Sequence, residues 1–110
     1  MTEPALTSLP DQLFVLDRGH NAHEFLDMLL TFCTFGGSAG LLLVGPGVEA
    51  LALAHRGIPL PQFGTMGLQG LMVDSKAAEE REIAVPESAT AVDASQIRTL
   101  YEQVPRILHP

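Results

Sequence analysis

Short apolar runs recur along the chain between polar, helix-compatible segments. The run Leu41–Val44 is unbroken, which is typical of a strand buried on both faces of a parallel sheet. Leu71–Val73 is a similar run that ends at Asp74, whereas the last two candidate strands are shorter or less bulky. The strands predicted in this way are Leu13–Leu16, Leu41–Val44, Leu71–Val73, Ala89–Val92 and Arg106–Leu108.

A helix is predicted over Asn21–Phe35, where the polar residues recur at spacings of three and four and form a single stripe. The rest of this segment is apolar over a wide arc, so the helix should be covered either by a sheet or by a sheet and a partner. Gly36 and Gly37 supply a C-terminal stop. The polar stripe consists of Glu24, Asp27, Thr31 and Thr34.

Three further helices are predicted. One runs from Val48 to about Gly57 and is followed by a proline-rich loop over 58–67, and a short exposed one covers Lys76–Glu82. The last follows Asp93, which lies three residues before Gln96 as in a capping box. Its apolar positions then keep helical spacing as far as Pro105. These positions are Ile97, Leu100, Tyr101 and Val104.

Strands that alternate with helices predict an α/β fold with right-handed parallel crossovers. We expect a small, doubly wound, Rossmann-like sheet of about five strands with helices on both faces. The chain has 110 residues, which predicts one domain over 11–110, preceded by a flexible N-terminal lead over 1–10.

The charge balance narrows the classes of partner. The formal net charge of −7 repels phosphate backbones, so no direct nucleic-acid binding is expected. Only 17% of the residues are charged and 46% are hydrophobic. A chain of this kind is too apolar to be disordered and is expected to bury part of its surface against other proteins.

The uncharged segment Met28–Val48 is about long enough to span a bilayer, which leaves a membrane helix as an alternative. Its clustered glycines would break such a helix and leave backbone polar groups without hydrogen-bond partners in the hydrocarbon. We therefore predict no membrane association. The first ten residues lack the pattern of a secretory signal. Cys33 is the single cysteine, and it therefore indicates a reducing compartment.

Candidate chemistry lies where strands end, because ligands of such folds bind beyond the carboxyl ends of the strands. Asp17, His20 and His23 could be metal ligands, but their spacing is loose and solvated histidines are the simpler interpretation. No metal site and no cofactor is predicted. The turn Gly45–Gly47 before a helix resembles an anion cradle, although Pro46 removes one amide.

Cys33 is the only residue that could act as a thiol nucleophile. A reactive thiolate needs exposure and a positive neighbourhood, whereas Cys33 is predicted to lie near a helix C-terminus between Phe32 and Phe35. A structural core cysteine is therefore the expected role. No catalytic residue is assigned.

Several of these segments resemble the DsrE/DsrF/DsrH-like sulfur-relay subunits, most closely the TusC/DsrF type. The resemblance covers about residues 13–108 and is carried by short motifs. These are Ala22–Asp27, Leu41–Val44, Gly47-Val48 with Leu51, Met72–Ser75 continuing to Arg81, and Arg106–Leu108.

The resemblance implies a cytoplasmic subunit of a TusBCD-like heterohexamer with homologous B-type and D-type subunits. Such complexes pass persulfide sulfur to a downstream sulfur carrier protein, in many bacteria towards 2-thiouridine in tRNA. The persulfide cysteine of the family's D/E-type subunit corresponds here to Asp74, so a non-catalytic role is implied. Arg18, His20 and Asp74 are the candidates for shaping a shared crevice. A small anion- or ligand-binding domain and a sulfurtransferase using Cys33 are the alternatives.

Overall fold

Five parallel strands form the central sheet of the computed structural model, which describes residues 9–110. They are β1 (Gln12–Leu16), β2 (Ala39–Leu43), β5 (Gly70–Asp74), β6 (Thr90–Val92) and β7 (Arg106–Leu108). A separate antiparallel hairpin is formed by β3 (Ala54–His55) and β4 (Ile58–Pro59). The strand order in the sheet is β6-β5-β2-β1-β7, which confirms the predicted fold class.

Three α-helices and two 3₁₀ helices connect the strands. The α-helices are α1 (His23–Thr34), α2 (Ser75–Glu80) and α3 (Ala94–Gln103). The 3₁₀ helices cover Gly45–Ala52 and Leu60–Met66, between β2 and β5.

The period-two alternation of the strands divides the core between the two faces of the sheet. Phe14 on β1 and Leu41 on β2 belong to the larger cluster, which packs against α1, the 3₁₀ helices and α2. Leu13 and Leu42 point the opposite way and pack with Leu100 of α3. Both faces of the central strands are therefore buried, as their unbroken apolar runs predicted.

The ends of α1 and α3 are formed by local interactions that the sequence signalled. At the end of α1, Gly36 has a φ of 87° and its N–H donates to the carbonyl of Cys33, while the N–H of Gly37 donates to the carbonyl of Phe32. This pair of bonds is a Schellman motif. At the start of α3, Asp93 and Gln96 form the predicted capping box.

The helix predicted from Val48 to Gly57 is wrong in type and in length. The segment is a 3₁₀ helix that ends at Ala52, and residues 54–55 are already in β3. It ends there because Leu53 is extended and Ala54–His55 pair with Ile58–Pro59 in the hairpin. The close approach to β1 requires glycine at position 47, since a Cβ there would lie 2.0 Å from the carbonyl oxygen of Leu16.

The other departures are smaller. The predicted loop over 58–67 contains β4 and the second 3₁₀ helix, and the short helix predicted over Lys76–Glu82 begins at Ser75 and ends at Glu80. Most of the predicted N-terminal lead lies outside the described residues. Of its last two residues, Pro10 is buried and Leu9 packs against the cluster on the α3 face.

The uncharged stretch Met28–Val48 is shared between α1, the glycine turn, β2 and the first 3₁₀ helix. Within residues 9–110, no helix combines the length and the apolar character needed to cross a membrane.

Candidate functional site

The sheet has one topological switch point, at β1. From β1 the chain adds β2, β5 and β6 in one direction across the sheet, and the helices of these connections pack on one face. Helix α3 then crosses back on the opposite face, so that β7 pairs with the other side of β1. Ligands of open α/β sheets bind outside the carboxyl ends of the strands at such a point. A ligand site is therefore expected at the carboxyl ends of β1 and β7.

A groove of about 430 Å³ lies there, and we call it the switch-point groove. Arg18 follows β1, and its Nε donates to Oδ1 of the adjacent Asp17 at 3.2 Å. Both side chains are about half exposed, with values of 42% and 50%, so this surface ion pair adds little stability and leaves the guanidinium accessible. The groove is lined by Arg18, Asn21, Glu24, Phe25, Met28, His109 and Pro110.

Asp74 lies at the same edge of the sheet but in a different environment. It is the last residue of β5 and the N-cap of α2, where its Oδ1 accepts hydrogen bonds from the backbone N–H groups of Lys76 (3.2 Å) and Ala77 (3.3 Å). Its carboxylate therefore caps the N-terminus of α2. The side chain of Tyr101, on α3, is close enough to be influenced by Asp74 and Asp17: burial first, then these two carboxylates, raise the pKa of its phenol.

His20 lies apart from both. It is exposed and lines a pocket on the other side of the α1 N-terminus, with His23 and His55. The three predicted crevice residues thus share one edge of the sheet but belong to three environments: Arg18 to the switch-point groove, His20 to the histidine pocket and Asp74 to the start of α2.

Tyr101 was expected among the core positions of its helix, yet 42% of it is exposed.

The turn Gly45–Gly47 does not present a set of free amides. The N–H of Gly47 donates to the carbonyl of Val44 at 2.9 Å, and Pro46 has no N–H. The carboxylate of Glu49 lies beside Gly19 at the same turn and pairs with Arg81 at 3.4 Å. A carboxylate at this place disfavours a bound anion.

Cys33 is in the interior of the domain, on the inner face of α1. It is 5% exposed, and burial raises the pKa of its thiol. Its neighbours in the core include Leu29 and Leu30. A buried thiol with a raised pKa is a poor nucleophile at neutral pH, because attack requires an accessible thiolate.

The outward surface of α1 exposes large apolar side chains. Phe35 is 86% exposed and Met28 is 47% exposed, while Phe32 is partly buried between them and the core. We call Met28, Phe32 and Phe35 the α1 apolar surface. Shallow grooves run along it, lined in part by Asp27 and Thr31. Apolar patches of this kind mark contact surfaces in soluble proteins.

Among the described residues, no group of three or more His, Cys, Asp or Glu side chains is arranged to hold a metal ion. Neither a scan against protein-family models nor a search of curated proteins found a match to this chain.

Proposed function

We propose that this protein is a non-catalytic subunit of a cytoplasmic, TusBCD-like sulfur-relay complex. Its partners in that role are homologous B-type and D-type subunits, assembled with it into a heterohexamer. The complex passes persulfide sulfur to a downstream carrier protein towards tRNA 2-thiouridine synthesis. This chain contributes surface and shape, and a partner contributes the sulfur-bearing thiol.

The position of Asp74 is the observation that carries the proposal. It ends the third strand of the parallel sheet in chain order, β5, where the resembling D/E-type subunits have their persulfide cysteine. A carboxylate cannot form a persulfide. The only thiol of the chain, on Cys33, is 5% exposed and belongs to the core of α1.

The α1 apolar surface supports an obligate association. Interfaces that persist between subunits are more apolar than transient ones and are rich in Phe and Met at their centres. Met28 and Phe35 meet that description and are exposed here. A neighbouring subunit placed on α1 would cover them and would also border Arg18 in the switch-point groove.

The two alternative functions find less support. A sulfurtransferase using Cys33 would need α1 to move away from the sheet before a sulfur donor could reach the thiol. An anion site at Gly45–Gly47 would have to tolerate Glu49 and the engaged amide of Gly47. Neither arrangement favours the required chemistry.

Co-expression with homologous B-type and D-type subunits from the same genome, followed by native mass spectrometry, tests the proposal. We expect a heterohexamer that contains this chain, and we expect Met28→Ser combined with Phe35→Ser to remove this chain from it. Tyr101→Ser is the matched control, because it removes an exposed aromatic ring from the opposite face of the sheet.

A second measurement separates this role from catalysis. After incubation with a persulfide donor, intact-mass analysis should show added sulfur on a partner's cysteine and none on Cys33. A chain that stays monomeric beside these partners, or one that takes up sulfur on Cys33, contradicts the proposal.

A further inference from the structure

Three of the four histidines line one pocket. His55 comes from β3, whereas His23 is the first residue of α1 and His20 lies just before that helix, more than thirty residues earlier in the chain. The rings of His23 and His55 meet edge-on with their centroids 4.6 Å apart. We call this the His55 pocket. It is lined by Gly19, His20, Asn21, Ala22, His23, Leu26, Leu53, Ala54 and His55.

The fold holds His55 in one orientation. It precedes a two-residue hairpin turn, Arg56-Gly57, whose φ angles of 53° and 78° are those of a type I′ turn. The ring is 4% exposed, and its Nε2 lies 3.3 Å from Oδ1 of Asp27 on α1. The Nε of Arg56 donates to the same carboxylate oxygen at 2.7 Å.

Asp27 remains ionised behind this ring. The hydrogen bond from Arg56, followed by the contact with His55, lowers the pKa of its carboxyl from 3.8 to about 2. An ionised carboxylate at Nε2 favours the tautomer of His55 that carries its proton on that nitrogen.

The other ring nitrogen of His55, Nδ1, is available to the pocket. The contact with Asp27 is the one hydrogen bond that this ring makes among residues 9–110. In that part of the chain no fully enclosed side-chain nitrogen or oxygen lacks a partner. Nδ1 is therefore not sealed in the core, and once the ring is protonated it is a hydrogen-bond donor to whatever occupies the pocket.

The N-terminus of α1 adds further donors to the same pocket. Its N-cap is Ala22, which provides no side-chain hydrogen bond, so the first N–H groups of a twelve-residue helix have no capping partner. The positive end of the helix dipole lies here. His20 and His23 are both exposed at this end and can also donate.

No carboxylate is among the residues that line the His55 pocket within the described chain. Glu49 reaches its edge beside Gly19, where its carboxylate is paired with Arg81 at 3.4 Å. Asp27 is on the far side of the His55 ring, paired with Arg56, and Glu24 lines the grooves on the other side of α1. The pocket is small, about 280 Å³, just below the range of roughly 300–1,000 Å³ typical of sites for drug-sized ligands. Its histidine rings and the first backbone N–H groups of α1 can donate hydrogen bonds, and its size suits a small molecule.

We propose that the His55 pocket binds a small oxyanion, such as phosphate, and that binding is coupled to protonation of the histidine cluster. The anion accepts hydrogen bonds from Nδ1 of His55, from His20 and His23 and from the free amides of α1. Asp27 is a positioning residue that sets the orientation of the His55 ring. This inference does not depend on the sulfur-relay role.

A titration of the full chain with inorganic phosphate tests the inference, with the imidazole resonances followed by NMR at pH 6 and pH 8 and with chloride at matched ionic strength as the control. We expect saturable shifts of the His20, His23 and His55 signals. Inorganic sulfate, whose charge is the same at pH 6 and pH 8, should bind more weakly at the higher pH, by up to about tenfold per pH unit for one linked proton. By reciprocity, bound phosphate should raise the pKa of the same rings.

Two kinds of variant locate the site. His55→Phe keeps a ring in the core but removes the nitrogens, and it should weaken phosphate binding by about tenfold or more. Because a buried position is changed, His20→Gln and His23→Gln provide exposed substitutions that should each weaken binding several-fold. Arg98→Gln removes a positive charge from α3, on the opposite face, and should leave binding unchanged.

Three results would overturn the inference. One is the absence of saturable shifts at pH 6, and another is an equal response to chloride. The third is phosphate binding that survives His20→Gln and His23→Gln but is lost in Arg98→Gln.

Discussion

Helices α1 and α3 cover opposite faces of the same sheet and are held in place by different means. Five residues of α1 are buried, among them Phe25 and Leu29, yet its N-cap Ala22 makes no side-chain hydrogen bond. Leu100 is the one buried residue within α3, and that helix begins with a complete capping box. The first helix depends on tertiary packing and the second on local hydrogen bonds as well.

This difference between α1 and α3 determines which of the two helices has free backbone N–H groups at its N-terminus. A helix fixed by packing can leave its N-terminal amides free, and at α1 these face the His55 pocket. The same helix exposes Met28, and its C-cap residue Phe35 is exposed as well, beside the polar stripe. At α3, in contrast, the cap engages the first amides and the outer face is mostly polar. Both proposals for this protein therefore concern the α1 face.

The largest effect is expected from Phe14→Ala. Phe14 is 1% exposed on β1, and its ring packs against Phe25 at 5.4 Å and Phe32 at 6.2 Å between centroids. Losing this ring should lower the free energy of unfolding by about 3–5 kcal/mol, because a cavity opens beneath α1. Urea unfolding of the isolated chain measures it.

Phe35→Ala is the matched control for that variant, since the ring of Phe35 is 86% exposed. It should change the free energy of unfolding by less than about 0.5 kcal/mol. A loss below about 1 kcal/mol in Phe14→Ala would mean that α1 is not held by the aromatic cluster.

A smaller loss is expected from Asp93→Ala. Oδ1 of Asp93 accepts the N–H of Gln96 at 2.8 Å, and the Gln96 side chain accepts the N–H of Asp93 at 2.8 Å. Removing this carboxylate should cost about 0.5–2 kcal/mol. Hydrogen exchange should quicken first at the Gln96 amide. Ser95→Ala changes the exposed residue just before Gln96 and should leave that amide protected. Equal exchange of the Gln96 amide in both variants would argue against the cap.

The smallest effect is expected on the free energy of unfolding at low pH. The pKa of Asp27 is depressed in the folded protein to about 2 from 3.8, so its contribution is complete above pH 4 and is lost as the pH falls towards 2. Asp27→Asn should flatten the fall of stability over that window, measured by urea unfolding at successive pH values. Arg56→Gln, which removes the main cause of the shift, should flatten it as well. If the pH dependence of the unfolding free energy were unchanged in both variants, the contact between Asp27 and Arg56 would be contradicted.

Local signals predicted the fold more closely than they predicted the site. The capping box at Asp93, the glycine stop at Gly36 and the apolar strand runs are all short-range patterns, and each is found in the structure. The helix expected from Val48 to Gly57 was wrong because the periodicity of apolar residues does not report that residues 54–55 pair with residues 58–59 in a hairpin.

The site depended on contacts that no local pattern reports. The predicted helix from Val48 to about Gly57 includes His55, yet its ring meets Asp27 across 28 positions of sequence. The dipeptide Arg56-Gly57 was the available signal, since a glycine in a two-residue turn favours a hairpin. Arg18, His20 and Asp74 all lie at the edge of the sheet where β1 and β5 end, but the N-terminus of α1 separates the first two.

The sequence by itself determined which segments are buried, because burial leaves its period in the order of apolar and polar residues. It also determined that Cys33 is the only cysteine and that the chain is strongly acidic. Only the tertiary structure decided the strand order and brought His20, His23 and His55 around one pocket. Contacts between distant residues depend on how helices pack across the sheet, and that packing is a property of the whole chain rather than of any short segment.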